Sequence, residues 1–193
     1  MGLEFELKYS ATGEIRQAIA AAFPGNWHTI AMETTYYDTP GGDLAARRYT
    51  LRRRLENGKA VCTVKTPGDG FGRGEWDVEC THIESAVEEL CKLGGPQELS
   101  VLAEQGLIPI CGARFTRRAL TVQLEDCQVE LALDEGVLLG GGKELPLGEV
   151  EVELKSGSQT GALAFANALA GTFHLSVEKK SKFRRALELA KGG

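Results

Sequence analysis

Charged and apolar side chains alternate without a break in Glu4-Phe5-Glu6-Leu7-Lys8, and the same two-residue period returns in nearly every extended segment of the chain. Successive side chains of a strand point to opposite faces, so Glu4, Glu6 and Lys8 share one face while Leu3, Phe5, Leu7 and Tyr9 share the other. Arg52 and Arg54 likewise oppose Leu51 and Leu55, and Lys65 is in phase with Val61 and Thr63. Arg73, Glu75, Asp77 and Glu79 oppose Trp76 and Val78. Leu120, Val122 and Leu124 mark an apolar face that includes Arg118, which leaves Arg117 on the polar one. Glu130 and Asp134 oppose Val129, Leu131 and Leu133, while Glu149, Glu151, Glu153 and Lys155 oppose Val150, Val152 and Leu154.

One such strand reads as a surface strand with a solvated face. A whole set fits either an open sheet with its charges in water or a barrel with its charges turned inward. Charge type separates the two, because the in-phase cations are chiefly arginines, whose forked donors suit phosphate and carboxylate. Closing an antiparallel sheet would bring Glu4 and Glu6 near Glu149 and Glu151 and abolish the exposed edges. Carboxylates and guanidinium groups would then line one cavity.

Turn and cap signals set the elements between these rows. Thr12 predicts a helix to about Phe23, stopped by Pro24-Gly25, and strands follow over 33–38, 49–55 and 60–65, the last entered through Asn57-Gly58. The glycine-rich stretch 68–74 lacks a Gly-Lys-Ser/Thr ending and reads as a hairpin connection before a strand over 73–80. Thr81 to Glu84 has the form of a capping box opening a helix that Gly94-Gly95 stops, and a short helix spans 97–105. Strands return over 113–125, 129–134 and 149–155, with turns at Asp126, Gly136 and Gly140-Gly141-Gly142. A helix over 161–170 precedes a segment, 176–190, that is first extended and then helical. Strands outnumber helices and meet through short turns, which predicts an antiparallel sheet with helices packed on it.

A net charge of -5 excludes a nucleic-acid binder driven by overall basicity, while leaving room for a local cationic pocket. No apolar run approaches a membrane span, and the acidic start is unlike a secretory signal, so a cytoplasmic protein is expected. The five cysteines show no CxxC spacing and the three histidines no paired-ligand spacing, so thiols that pack and histidines that are structural or exposed are expected.

Glu4-x-Glu6-x-Lys8 resembles the signature of the CYTH superfamily, the triphosphate tunnel metalloenzymes. Tyr36-Tyr37-Asp38-Thr39, Leu51-Arg52-x-Arg54, Thr63-x-Lys65, Arg73-x-Glu75, Phe115-x-Arg117, Leu133-Asp134-x-Gly136, Glu149-x-Glu151-x-Glu153-Leu154-Lys155 and Ser181-Lys182 resemble the family's motifs in the family's order. The resemblance implies an α+β fold: a closed eight-stranded antiparallel β-barrel, forming a tunnel, with helices packed on the outside. It implies one such domain over 1–193, either a natural single-domain protein or a piece of a longer chain with a C-terminal helical domain. The pattern from Arg52 to Glu75 and the Leu131-Ala132-Leu133-Asp134 stretch are most similar to the bacterial inorganic triphosphatase branch.

That branch implies hydrolysis of tripolyphosphate to pyrophosphate and phosphate. Lys8, Arg52, Arg54, Lys65, Arg117 and Lys182 are then expected to neutralise the phosphate chain, with Arg73 either paired to Glu75 or reaching the substrate. Glu4, Glu6, Glu149 and Glu151, supported by Glu130, Asp134 or Glu153, are expected to hold Mg²⁺ or Mn²⁺, two ions during turnover. The implied partner is a small-molecule triphosphate, with no nucleic acid and no membrane. Three alternatives remain open: a thiamine triphosphatase, an adenylate cyclase of the same fold, or a non-catalytic polyphosphate or nucleotide binder.

Overall fold

The alternating N-terminal segment forms strand β1, Glu6–Ser10, in a computed structural model that describes residues 5–67 and 74–192. Glu4 and Arg73, both expected at the site, lie outside the described residues, as does most of the glycine-rich connection. Thr12 caps helix α1, Gly13–Ala22, its hydroxyl accepting from the Ile15 N–H. The chain continues as β2 (His28–Asp38), α2 (Asp43–Ala46), β3 (Thr50–Glu56), β4 (Lys59–Lys65) and β5 (Glu75–Glu79). Then come α3 (Ile83–Lys92), α4 (Glu98–Ala103), β6 (Ile108–Gln123), β7 (Cys127–Gly140) and β8 (Lys143–Gly157). The last elements are α5 (Gln159–Phe173), β9 (Ser176–Val177) and α6 (Lys182–Ala190).

All pairings among the described strands are antiparallel, in the order β5-β4-β3-β2-β6-β7-β8-β1-β9. The expected closed ladder of eight strands is replaced by nine strands whose edges, β5 and β9, do not pair. β9 is only two residues long, because Ser181 caps α6 soon after it and the chain leaves the sheet. The register also differs from the expected closure: Glu6 lies opposite Glu153 and Lys8 opposite Glu151 by direct pairing of β1 with β8.

The side-chain period places one face of this sheet on the inside of its curl and the other under helices. On the outer face, Val129, Leu131, Val150 and Val152 pack with Ile19 of α1 and Ala162, Ala166 and Leu169 of α5. Ile19 is fully buried, which stabilises the fold by about 2–3 kcal/mol. A second outer core joins Leu51, Cys62 and Val64 to Ile83, Ala86, Val87 and Leu90 of α3 and Leu99 of α4. Helix α6 departs from the expectation that helices stay outside. It lies on the inner face, with Ala186 buried against Met32, Ala113, Phe115, Leu138 and Leu147.

Glycine permits that approach. A Cβ on Gly140 would stand 2.4 Å from the Ala186 carbonyl oxygen and 2.7 Å from the Ala190 nitrogen. Gly136, expected in a turn, is inside β7 instead, where a Cβ would meet the Arg114 carbonyl oxygen at 2.2 Å. The capping box also fails to form: His82 occupies the N-cap of α3 and no side chain accepts there. Asn57 and Gly58, both at positive φ, make the tight β3–β4 turn as expected. Asp38 has a role the sequence did not show. Its buried carboxylate accepts from the N–H groups of Thr39, Leu44 and Ala45 and so starts α2.

Candidate active site

The curled inner face encloses a cavity of about 640 Å³ to which β1, β2, β3, β4, β5, β6, β8 and α6 all contribute. Lys8, Arg52, Arg54, Lys65 and Arg117 line it, as the side-chain period requires, and Lys182 joins them from α6. Glu6, Glu151 and Glu153 line it too, with Glu75 and Asp77 from β5. The neighbouring arginines of β6 separate as expected. Arg117 faces the cavity, whereas Arg118 sits over the Trp27 ring, its guanidinium carbon 5.2 Å from the ring centre.

One wall is a network of paired charges. Lys182 Nζ lies 2.8 Å from Asp134 Oδ2 and 2.5 Å from Glu151 Oε1, and it also donates to Glu149. It donates hydrogen bonds to Glu149 and Glu151 and forms an ion pair with Asp134. Lys182, expected to neutralise the phosphate chain, thus lines the cavity with its ammonium held by three carboxylates. Ser181 explains the adjacent half of the Ser-Lys pair, its hydroxyl accepting from the Arg184 N–H to cap α6. Arg117 grips Asp134 through Nε and Nη2, both at 2.8 Å, and Nη2 also donates to Glu151. Its Nη1 remains available. Arg185, one helical turn after Lys182, lies 2.8 Å from Glu149 Oε1 and 2.9 Å from Glu178.

Burial and pairing pull these groups in opposite directions. Burial pushes Glu151 up, but the Lys182 and Arg117 charges outweigh it and hold the carboxyl well below the usual carboxylate range. Lys182 and Arg117 are raised in turn, their loss of solvation exceeded by Glu151 and Asp134 together, with Glu149 adding to the hold on Lys182. Glu149, completely buried, is raised, because loss of solvation outweighs its Lys182 contact. Asp134, Glu149 and Glu151 each offer an oxygen within 4.8 Å of the others, a group that could hold a metal ion, with the Lys182 ammonium bonded to all three.

The opposite wall carries Arg52, Arg54 and Lys65 with Glu75 and Asp77. Arg52 Nη2 is 3.5 Å from Glu75 and Lys65 Nζ is 3.1 Å from the same carboxylate. Asp77 accepts from the Thr63 hydroxyl at 2.6 Å, and the Nε of Arg52 is buried without a hydrogen bond. Arg54 donates to Thr34 and reaches only Glu56, at 3.8 Å. Burial, with Arg52 close by, pulls its guanidinium down to about 10. Arg52 and Arg54 therefore lie close together on the cavity wall, each with its nearest carboxylate at 3.5 Å or more among the described residues.

The remaining expected acids divide. Glu6 and Glu153 are directly opposite on β1 and β8, and both line the cavity. Glu130 follows in the same cross-strand row, opposite Glu153, but it lies beside Lys155 and does not line the cavity. Asp134 and Glu149 are fully buried under Lys182 and do not line it either. Tyr36, Asp77 and Lys179 are lining residues missing from the expected set. The two-residue period points to the first two, whereas Lys179 precedes α6 and carries no periodic signal. All three histidines are exposed and outside the cavity, and burial pushes the thiols of Cys62 and Cys111 up to about 11 and about 12.

Residues 2–187 match the CYTH domain family. The chain belongs to that family. Within it, an inorganic triphosphatase of Haemophilus influenzae is 28% identical over 190 residues, 94% of this chain and 53% of that protein. The chain thus spans about half the length of this curated relative. The CYTH fold of this chain is similar to that of the PH1819 protein from Pyrococcus horikoshii, with a TM-score of 0.64 and 23% identity over 96% of this chain and 99% of that one. HpAC1 from Hippeastrum, an adenylyl cyclase candidate stated to have a dominant triphosphatase activity, gives a TM-score of 0.65 at 17% identity, covering 100% of this chain and 96% of that one. Among the described residues of this CYTH chain, no helix is long and apolar enough to cross a membrane.

Proposed function

We propose that this chain is a metal-dependent inorganic triphosphatase, hydrolysing tripolyphosphate to pyrophosphate and phosphate within the cavity. The observation that carries the reading is the pair Arg52 and Arg54, side by side on β3 and facing the cavity, with the Arg52 Nε buried without a hydrogen bond. A polyanion laid along them supplies acceptors to guanidinium groups that are largely withdrawn from water. Forked donors favour phosphoryl oxygens, which accept from several directions at once. The similarity to an inorganic triphosphatase supports the substrate class, and the family's CYTH fold supports a closed tunnel in which the curl is completed.

The donor set fits a hard divalent cation. Glu6 and Glu153 stand directly across from one another at the cavity wall, beside Lys8 and Lys155 respectively, and bring two carboxylates to one place. They would hold Mg²⁺ or Mn²⁺, with Glu4 of the same alternating row and Glu151 beside them, since no sulfur or imidazole group lines the cavity. When bound, such an ion neutralises phosphoryl oxygens and activates water at neutral pH.

The side chains do the rest. Arg52, Arg54 and Lys65 hold the phosphate chain along one wall, and Arg117 offers Nη1 from the other, so that charge developing on the leaving pyrophosphate meets donors already in place. Lys182 acts through Glu151 and Asp134, which in turn orient Arg117. No protein nucleophile is required. Phosphate release and product analysis with tripolyphosphate, ATP and thiamine triphosphate, each with Mg²⁺ or Mn²⁺, test the reading. Pyrophosphate and phosphate from tripolyphosphate are expected. Accumulation of cyclic AMP from ATP, or no turnover of any of the three, would overturn it.

A further inference from the structure

A second cavity, of about 460 Å³, adjoins the first and shares with it Thr50, Lys65, Lys179, Ser181 and Phe183. Its own cations are Arg48, Lys180 and Arg184. Among the described residues no carboxylate lines it, whereas Glu6, Glu75, Asp77, Glu151 and Glu153 line its neighbour. Lys180 and Arg184 are balanced by one carboxylate between them, Glu188, at 2.7 and 2.9 Å. The side chains of Arg48 and Lys179 have no hydrogen bond or ion pair among the described residues. Arg48 is also held at a left-handed φ of 60°, its N–H donating to the Ala45 carbonyl, so the turn after α2 sets where it stands.

Among the described residues the pocket is walled by five cations and offers no carboxylate to a metal ion, so it attracts an anion. Because it shares five lining residues with the main cavity, a ligand occupying both is an extended polyanion. Resting on the triphosphatase reading, we propose that the second cavity is an additional phosphate subsite. It takes the phosphoryl groups beyond the third of a linear inorganic polyphosphate whose terminal triphosphate lies in the main cavity. A nucleoside in the same place would leave Arg48 and Lys179 without acceptors, whereas a phosphate chain supplies an oxygen to each.

Calorimetric titration with tripolyphosphate, tetrapolyphosphate and a longer linear polyphosphate, in one divalent-cation buffer, tests this. Affinity is expected to rise by about tenfold from tripolyphosphate to the longer chain, the scale of a few solvent-accessible ion pairs. The double variant Arg48→Gln/Arg184→Gln should bind tripolyphosphate as the unaltered protein does and lose the increment, while Arg48→Lys/Arg184→Lys keeps it. Equal affinity for all lengths in the unaltered protein, or equal weakening for all lengths in the Gln variant, would overturn the subsite. Tighter binding of ATP than of tetrapolyphosphate, abolished in the Gln variant, would overturn it in favour of an organic group. Failure to bind tripolyphosphate at all would instead sink the underlying function. If the Gln variant does not fold, the length series on the unaltered protein decides.

Discussion

On the β6–β7–β8 wall, Lys182, Arg117 and Arg185 meet Asp134, Glu149 and Glu151 at close range, whereas on the β3–β4–β5 wall Arg52 stands 3.5 Å from Glu75 and Arg54 3.8 Å from Glu56. Both walls carry arginine, lysine and carboxylate. What differs is how tightly the signs are balanced. Where the balance is tight, the cations tie α6 to the inner face. Where it is looser, a donor such as the Arg52 Nε is buried without a hydrogen bond. A cation's presence in a cavity is therefore weaker evidence for binding than the closeness of its acids.

The largest effect is expected from unbalancing the balanced wall. Lys182→Met leaves three buried carboxylates without their ammonium and should cost about 3–5 kcal/mol of stability, read by urea unfolding. An unchanged midpoint would show that α6 is not held by this network. Next, Arg54→Ala on the more loosely balanced wall should reduce kcat/KM for tripolyphosphate by about 10²–10³-fold while leaving the unfolding midpoint equal or higher, because a crowded positive charge is removed. Loss of stability in step with activity would erase the distinction between the walls.

Glu6→Gln and Glu153→Gln should each weaken binding of Mn²⁺ to the protein, measured by titration of the metal alone, with little change in unfolding. The acid side of the stability profile sharpens the contrast further. Glu151, held down by its cations, contributes stability that is present above the ordinary carboxylate pKa near 4 and is lost as pH falls below it. Glu149, raised by burial, has the opposite sign: its contribution is present at low pH and is lost as pH rises. Glu151→Gln should thus flatten the fall in stability on acidification, and Glu149→Gln should not, in urea melts across the acid range. The smallest effect is expected outside the cavity, where Arg118→Ala should cost about 0.5–1 kcal/mol from its contact with Trp27 and leave turnover unchanged.

Much of this was legible from parity. The rule that separates Arg117 from Arg118 needs only Leu120, Val122 and Leu124, because a strand has two faces and one of them must be apolar. The same rule put Arg52, Arg54, Lys65, Glu6 and Glu153 on one lining. It gave no warning that Lys182 would be paired with three acids, since these come from β7 and β8 and meet it only when α6 lies on the inner face. Nor could it tell Glu149 from Glu153: both share a parity, but one is roofed by α6 and the other is not. Among the described residues hydrogen bonds do not close the ladder at β9, where two residues of strand precede the Ser181 cap.

Alternation, caps and turns are local, because each depends on the geometry of a few successive residues, and so the strand faces, α1 and the Asn57-Gly58 turn could be read directly from the amino-acid sequence. Which charges stay unpaired is a property of distances between residues far apart in the chain, and electrostatic energy depends on those distances and on burial. Only the curl of the sheet, with α6 docked at Gly140, decided that the charges of one wall pair tightly within the protein and those of the other more loosely.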